Sequence, residues 1–128
     1  MGFKLGKSSL EKLSSCETPL IEVVNAAIEI SQVDFSVVEG IRTAQKQRLN
    51  IENGVSWTMK SKHLANANGL SEAADIYPWV NGATSHDKEH YKLVAKAMYL
   101  SAMRLGVVVS WGGLWAEKYE DMPHWELL

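Results

Sequence analysis

The sequence contains a single cysteine and no apolar run long enough to cross a membrane. With Cys16 alone, no disulfide can form within the chain, which excludes the small secreted domains that depend on disulfides and favours synthesis in a reducing compartment. No stretch approaches the roughly 20 apolar residues of a membrane-spanning helix. Residues 1–7 also lack the apolar core of a signal peptide. We therefore expect neither membrane insertion nor a signal peptide.

The sequence also has no block of charge of one sign. Its 13 lysine and arginine residues nearly balance its 15 aspartate and glutamate residues, which gives a formal net charge of −2 at pH 7. This balance argues against broad electrostatic capture of nucleic acid or anionic lipid, and we expect no nucleic-acid partner. A length of 128 residues and a hydrophobic fraction of 46% predict one domain, residues 1–128, with a buried core.

Hydrophobic periodicity and turn residues predict helices that alternate with a few short strands. A capping box from Ser8 to Glu11 predicts a short first helix. Longer helices are predicted at residues 19–31, 43–53 and 86–105. Short strands are predicted at residues 35–38, 73–77, 107–109 and 124–127, with Pro78 ending the second of them. This pattern indicates an α+β domain built on a small sheet.

His86 and His90 lie four residues apart in a segment that opens a predicted helix. On a helix the two side chains share a face, as in zinc enzymes with the H-E-x-x-H motif. Asp87 stands where that motif requires glutamate, and the segment is heavily charged. We therefore interpret this segment as a solvated first helical turn rather than as a zinc site.

Asp121 precedes His124 by three residues, a spacing that can place a general base and a metal ligand over the same water. Catalytic zinc usually takes three protein ligands and leaves a fourth position for water, whose pKa the metal lowers. His63 and Asp75 are candidates for the two further ligands, and Asp121 is suited to accept the proton of the water. Taken singly, each histidine could instead be structural, Asp75 a surface carboxylate and Asp121 the start of a turn.

Four other residues are candidates for the same site. Arg42 follows a predicted strand and is suited to stabilise an oxyanion or to bind a substrate carboxylate, although it could also be a plain salt-bridge partner. Ser61 and Gln47 are candidates either for binding the substrate or for supporting the metal ligands from outside, and local capping or backbone hydrogen bonding explains them equally well. Trp125 lies next to a candidate ligand and is expected either in the core or as a wall of the substrate cleft.

Three blocks of this sequence resemble the M15 metallopeptidases, a family that includes D-Ala-D-Ala carboxypeptidases and phage L-alanyl-D-glutamate endolysins. The blocks are Gly40-Ile41-Arg42-Thr43 with Gln47, Ser61-Lys62-His63 through Ala73-Ala74-Asp75, and Trp111-Gly112-Gly113-Leu114-Trp115 through Asp121-Met122-Pro123-His124-Trp125-Glu126-Leu127. Their order and span match the family over about residues 17–128. The third block is the most specific of the three.

The family pattern implies a role for each matched residue. The zinc histidine, the zinc aspartate, the carboxylate base and the second zinc histidine of that pattern fall on His63, Asp75, Asp121 and His124. The resemblance also implies a Zn²⁺ cofactor and an α+β fold of the Hedgehog/D,D-peptidase type, in which helices flank a small antiparallel sheet.

The same resemblance implies a phage lysis enzyme that hydrolyses the L-Ala–D-Glu bond in the stem peptides of peptidoglycan. Such an enzyme is expected to be a monomer, to accumulate in the host cytoplasm, and to reach the cell wall through holes made by a separate holin. The alternatives are a D,D-carboxypeptidase that releases terminal D-Ala and a non-catalytic, zinc-containing module that binds the cell wall. The presence of Asp121 argues against the module, because pure binding needs no base.

The sequence departs from the family pattern at two places. His63 and Asp75 are twelve residues apart, whereas the family usually has seven, so about five residues are inserted around residues 65–69. Leu114 stands where many relatives carry aspartate. We therefore expect an altered loop between two of the candidate ligands and the loss of one carboxylate near the site.

Overall fold

The fold is a five-stranded antiparallel sheet with helices packed against one face, in a computed structural model that describes residues 2–128. In chain order the strands are β1 (Asp34–Glu39), β2 (Ala73–Val80), β3 (Ala83–Thr84), β4 (Val109–Trp111) and β5 (His124–Leu127). They lie in the order β1-β2-β5-β4, with the short β3 paired to β2, and every pairing is antiparallel. The predicted α+β fold with a small antiparallel sheet is therefore confirmed.

Four helices accompany the sheet in this part of the chain: α1 (Lys7–Leu13), α2 (Thr18–Ile30), α3 (Ala44–Glu52) and α4 (Lys88–Leu105). Helices α2 and α4 pack together, and their buried side chains form most of the core with the inner face of the sheet. Helix α3 is largely exposed and buries only Gln47. No helix within residues 2–128 is long and apolar enough to span a lipid bilayer.

The helix ends follow from local capping chemistry. The side chain of Asp87 accepts a hydrogen bond from the first turn of α4, and Gly106 ends that helix in the left-handed conformation with φ of 70°. Thr43 caps α3 in the same way, close to the predicted start. The predicted capping box at Ser8 is wrong, because Ser8 lies inside the first turn of α1 and Gly6 precedes that helix without a side-chain cap.

Alternation along β2 and β5 divides their side chains between the core and the outer face of the sheet. On β2, Ala74 and Ile76 are fully buried in the core, whereas Asp75 between them is only partly buried and points to the other face. On β5, Trp125 joins the core and the neighbouring His124 points to the other face. The candidate site therefore lies on the sheet face opposite the main core.

Strand β2 continues past Pro78, so the prediction that this proline ends the strand is wrong. Pro78 pairs with Phe35 of β1, and its carbonyl accepts the N–H of Ser85 at 2.8 Å. Proline lacks only the backbone N–H, and a strand tolerates it where that N–H has no partner to bind. The strand ends instead at Asn81 and Gly82, whose φ values of 54° and 79° are those of a two-residue hairpin turn.

Candidate metal centre and active site

The register between β2 and β5 places the candidate metal ligands side by side. Asp75 pairs directly with His124. His63 comes from the irregular segment before β2, and its Nε2 lies 3.1 Å from Asp75 Oδ1, while His124 Nδ1 lies 3.6 Å from the same oxygen. One ligand atom of each residue lies within 4.8 Å of the other two. The three predicted ligands thus form a group that could hold a metal ion.

Hydrogen bonds fix the orientation of both imidazole rings. His63 Nδ1 lies 2.7 Å from the Gly40 carbonyl oxygen, which can only accept, so Nδ1 carries the hydrogen and Nε2 presents its lone pair to the site. His124 Nε2 donates to Glu126 Oε1 at 2.8 Å, which leaves Nδ1 facing Asp75. Outer partners of this kind set the tautomer of metal-binding histidines. Two imidazoles and one carboxylate are a donor set that suits zinc.

Burial and mutual contacts shift the pKa values of these groups in opposite directions. Burial alone would lower the pKa of His124, but its contacts with Asp75 and Glu126 prevail and raise that pKa to about 9. Burial alone would raise the pKa of Asp75, but its contacts with His124 and His63 prevail and hold it well below its usual range. Without a metal, a protonated His124 therefore lies beside an ionised Asp75 at neutral pH.

Asp121 lies at the edge of the candidate metal centre formed by His63, Asp75 and His124, in the turn before β5. Its Oδ2 is 3.9 Å from His124 Nδ1, and its side chain is 47% exposed. Its backbone N–H donates to the Gly112 carbonyl at 3.0 Å, and a side chain at Gly112 would collide with the Asp121 carbonyl, so this close approach requires glycine. Burial and the charge of Asp75 raise the pKa of Asp121, which suits a group that takes up and releases a proton.

Arg42 lies in the wall of the site, where three side chains surround its guanidinium. Its Nε and Nη2 donate to Glu39, and its Nη1 donates to Gln47 Oε1 at 2.6 Å. Its Nη2 also lies 3.8 Å from Asp75 Oδ2. The sequence left open whether Arg42 forms a salt bridge or faces the substrate. In the structure it forms a salt bridge with Glu39 and also lies beside the candidate metal centre.

Gln47 and Ser61 support the site from behind. Gln47 is fully buried, and its amide nitrogen donates to Ser56 Oγ at 2.7 Å and to the Thr58 carbonyl. A fully buried side chain is out of reach of a substrate, so of the two roles predicted for Gln47 its position fits support of the site and not a substrate contact. Ser61 does line the cleft, and its hydroxyl accepts the backbone N–H of His63 at 3.2 Å.

Trp125 is 1% exposed and lies in the core, not along the cleft. Its ring stacks on that of Trp111, with centroids 5.7 Å apart and an interplanar angle of 11°. Strand alternation explains this position, because His124 and Glu126 on either side point to the outer face. The expectation that Trp125 forms a wall of the cleft is therefore contradicted. Trp115 lies there instead, with its ring 5.0 Å from that of His124.

The metal centre opens into a cleft of about 1150 Å³. Side chains that the sequence analysis did not single out also line it, among them Trp57, Lys60, Lys62, Tyr77 and Tyr119. Trp57 and Tyr119 come from distant parts of the chain, and no spacing or periodicity links them. Leu114, which replaces the aspartate of many relatives, is 70% exposed in a single 3-10 turn.

Glu126 is the residue at the metal centre that the sequence analysis missed. Besides accepting from His124, it places Oε2 3.7 Å from Lys62 Nζ, and Lys62 also donates to the Leu127 carbonyl. A signal for this residue was available, because residues i and i+2 of a strand share a face. A ligand at position 124 therefore predicts that Glu126 points to the same side of the sheet.

The residues inserted between two of the candidate ligands fold back on the start of α2. Asn66 and Asn68 both donate their side-chain amides to Glu17, at 2.6 and 3.0 Å. The extra length is therefore taken up away from the metal centre. His63 and Asp75 remain within hydrogen-bonding distance despite the twelve residues that separate them.

The sequence and the fold are similar to those of one group of known proteins. The model of the phage L-alanyl-D-glutamate peptidase family matches residues 1–127. The chain is 35% identical over 119 residues to the L-alanyl-D-glutamate peptidase of Escherichia phage T5, a match that covers 90% of this chain and 83% of that relative. A crystal structure of the Serratia marcescens L-Ala D-Glu endopeptidase ChiX has a TM-score of 0.87 and 32% sequence identity, over 98% of this chain and 90% of that one. This chain therefore belongs to the phage L-alanyl-D-glutamate peptidase family.

Proposed function

We propose that this protein is a zinc-dependent endopeptidase that hydrolyses the L-Ala–D-Glu bond in the stem peptides of peptidoglycan, and that it serves a phage as an endolysin. The observation that carries the proposal is the group of His63, Asp75 and His124 with the carboxylate of Asp121 beside it. This group lies in a chain whose family and relatives are named for the same bond.

The donor set fits a zinc ion. His63 Nε2, His124 Nδ1 and a carboxylate oxygen of Asp75 would hold it. Zinc bound there would lower the pKa of a water and polarise the scissile carbonyl. The hydrogen bonds from the two rings to Gly40 and Glu126 keep the donor nitrogens directed at Asp75, so little reorganisation is needed for binding.

Asp121 is the base in this proposal. Its carboxylate lies beside the metal centre and is half exposed, so it can contact both a water at the centre and a peptide in the cleft. It accepts the proton of the attacking water and passes it to the departing amine of D-Glu. Its raised pKa makes it a stronger base than an ordinary aspartate.

Arg42 and Ser61 contribute to the wall that faces the substrate. Glu39 and Gln47 hold the Arg42 guanidinium in place, so its charge is already positioned for the oxyanion or for a carboxylate of the stem peptide. A group that is fixed before the substrate arrives loses little further entropy on binding. Ser61 supports His63 through its hydroxyl and lines the cleft, where it is placed to contact the peptide backbone.

The proposal includes the setting in which the enzyme works. We propose a single peptidase domain over residues 1–128 that acts as a monomer, accumulates in the host cytoplasm before lysis, and reaches the cell wall through a separate holin. The family match over residues 1–127 supports the extent of the domain. The nearly balanced charge supports the absence of a nucleic-acid partner.

Mass spectrometry of purified peptidoglycan digested by the zinc-loaded protein tests the proposed function. We expect new amino termini on D-Glu and no release of free D-Ala. Release of free D-Ala would identify a D,D-carboxypeptidase instead. Retention of the protein on the wall without any cleavage, with zinc present, would identify a binding module. Either of these two results would contradict the proposal.

Zinc affinity is expected to rise by about tenfold per pH unit between pH 7 and about 9. The pKa of His124 is raised to about 9 in the metal-free protein, so zinc must displace a proton from this ring at any lower pH. Above that pH the proton has already left, and the dependence should level off. Competition titrations against a chelating dye, corrected for the titration of the dye itself, measure this profile. A flat profile would show that His124 is neutral when zinc binds.

A further inference from the structure

Trp57 is the most exposed of the five tryptophans, at 65%, and it lines the cleft that also contains Asp75 and His124. A tryptophan left open to water forgoes the large stabilisation that burial of its ring would give. A single exposed apolar residue needs no explanation, but one in the wall of an active-site cleft is a candidate contact for a ligand.

The backbone on both sides of Trp57 is anchored to the interior. The fully buried Gln47 donates to the Ser56 hydroxyl at 2.7 Å and to the Thr58 carbonyl, one residue before and one residue after Trp57. The backbone N–H of Ser56 also donates to the Asn50 carbonyl at 3.1 Å. The buried Gln47 side chain therefore holds residues 56–58 in place, and with them the exposed indole of Trp57. This anchoring distinguishes the segment from a loosely held surface loop.

Tyr119, in the segment between β4 and β5, packs against the indole. The two rings lie with their centroids 4.8 Å apart and an interplanar angle of 50°. Lys118 Nζ lies over the Tyr119 ring at 5.6 Å from its centroid, which adds a cation–π contact to that support. Because Trp57 remains 65% exposed despite its contact with Tyr119, most of its surface is available to a ligand.

We propose that Trp57 and Tyr119 form a platform for the N-acetylmuramoyl sugar that carries the stem peptide; this inference rests on the proposed function. In peptidoglycan, L-Ala is amide-linked to the lactyl group of that sugar. A cleft that receives the L-Ala–D-Glu bond must therefore also accommodate the sugar, one residue away. One face of a pyranose ring presents C–H groups that pack well against an aromatic ring, and a fixed, open indole offers that contact.

The chain segment that carries Trp57 suits an uncharged, hydroxyl-rich ligand. Four residues of it that line the cleft are uncharged, namely Asn50, Val55, Ser56 and Thr58, while Lys118 places a cation over the neighbouring Tyr119 ring. The amide-linked sugar carries no charge, but it carries hydroxyl and acetamido groups that pair with amides and hydroxyls. The free carboxylates of the stem peptide find their match elsewhere, at the guanidinium of Arg42 beside the metal centre.

Two substrates test the platform: an N-acetylmuramoyl stem peptide and the same peptide without the sugar. Trp57→Ala is expected to lower the ratio of their kcat/KM values by about tenfold, chiefly through a higher KM for the sugar-bearing substrate. Trp57→Phe, which keeps an aromatic face, should restore most of the ratio. Trp79→Ala is the matched control, because Trp79 is also exposed, at 41%, but does not line the cleft. It should leave the ratio unchanged.

Equal losses of kcat/KM on both substrates would overturn the platform, since Trp57 would then contact the peptide or support the fold. If the sugar-free peptide is cleaved too slowly to measure, the indole N–H resonance of Trp57 decides the question in zinc-loaded Asp121→Asn protein. We expect it to shift with the sugar-bearing peptide and not with the sugar-free one, and the absence of that difference would overturn the proposal. Failure of the unaltered protein to cleave either substrate would reject the proposed function instead.

Discussion

Replacing Asp121 with asparagine is expected to lower kcat on peptidoglycan by about two to four orders of magnitude while zinc stays bound. Asparagine has nearly the same shape as aspartate, but it cannot take up the proton of a water at neutral pH. The hydrogen bonds that join residue 121 to Gly112 and His124 involve only its backbone, so the turn before β5 should persist. Single-turnover kinetics and the zinc content of the purified variant measure the two effects separately.

Glu117→Gln is the matched control for this variant. It also removes one carboxylate from the segment before β5, but Glu117 is exposed in a 3-10 turn and does not line the cleft. It should keep the kcat of the unaltered protein. Loss of zinc from Asp121→Asn would show that Asp121 is a ligand, and full activity would show that another group takes the proton. Either result would remove the base from the proposed mechanism.

Zinc affinity is expected to fall by about 10- to 100-fold when Glu126 is replaced by alanine. Glu126 Oε1 accepts the Nε2 hydrogen of His124 at 2.8 Å, and this contact directs Nδ1 toward Asp75. Without the carboxylate, the hydrogen can move to Nδ1 and block the nitrogen that would bind the metal. The negative charge of Glu126 also makes His124 Nδ1 a stronger ligand for zinc, and this effect is lost in the variant. Dye competition gives the dissociation constant for zinc directly.

Glu126→Gln separates the orientation of the ring from its electrostatics. The glutamine oxygen can still accept from His124 Nε2, so the loss of zinc affinity should be smaller than in the alanine variant. Lys62→Met, which removes the cation 3.7 Å from Glu126, should also cost less than Glu126→Ala. Thermal unfolding of the metal-free variants checks that the fold is intact. Unchanged affinity in Glu126→Ala would mean that other contacts hold the His124 ring.

The candidate ligands could be predicted because Asp121 and His124 lie three residues apart and because three blocks of the sequence resemble a known family. What spacing could not reveal is how His63, Asp75 and His124 meet, since that depends on the pairing of β2 with β5. The resemblance to a known family supplied that link. The twelve-residue step from His63 to Asp75 suggested a changed geometry, yet the contacts of the inserted loop with Glu17 divert the extra residues away from the ligands.

The directions of side chains were predicted less well than the identities of the ligands. Trp125 was expected in the core or in the cleft wall. Because side chains alternate along β5 and His124 faces the cleft, Trp125 lies in the core. Gln47 carries no sequence signal for its burial, because α3 is otherwise exposed and only the tertiary fold brings Arg42 to its amide. The contact between Trp57 and Tyr119 joins two irregular segments, where no periodicity exists to be read.

The alternation of β5 couples the packing of the core to the chemistry of the cleft. A slip of this strand by one residue would exchange its two faces, placing an imidazole in the apolar interior and an indole in the metal centre. The stack of Trp125 on Trp111 opposes such a slip, because only the present register keeps both rings in the core. By fixing the register of β5, the packing of the core also fixes the position of His124 opposite Asp75. A core substitution that loosened this register would therefore also displace His124 from the cleft.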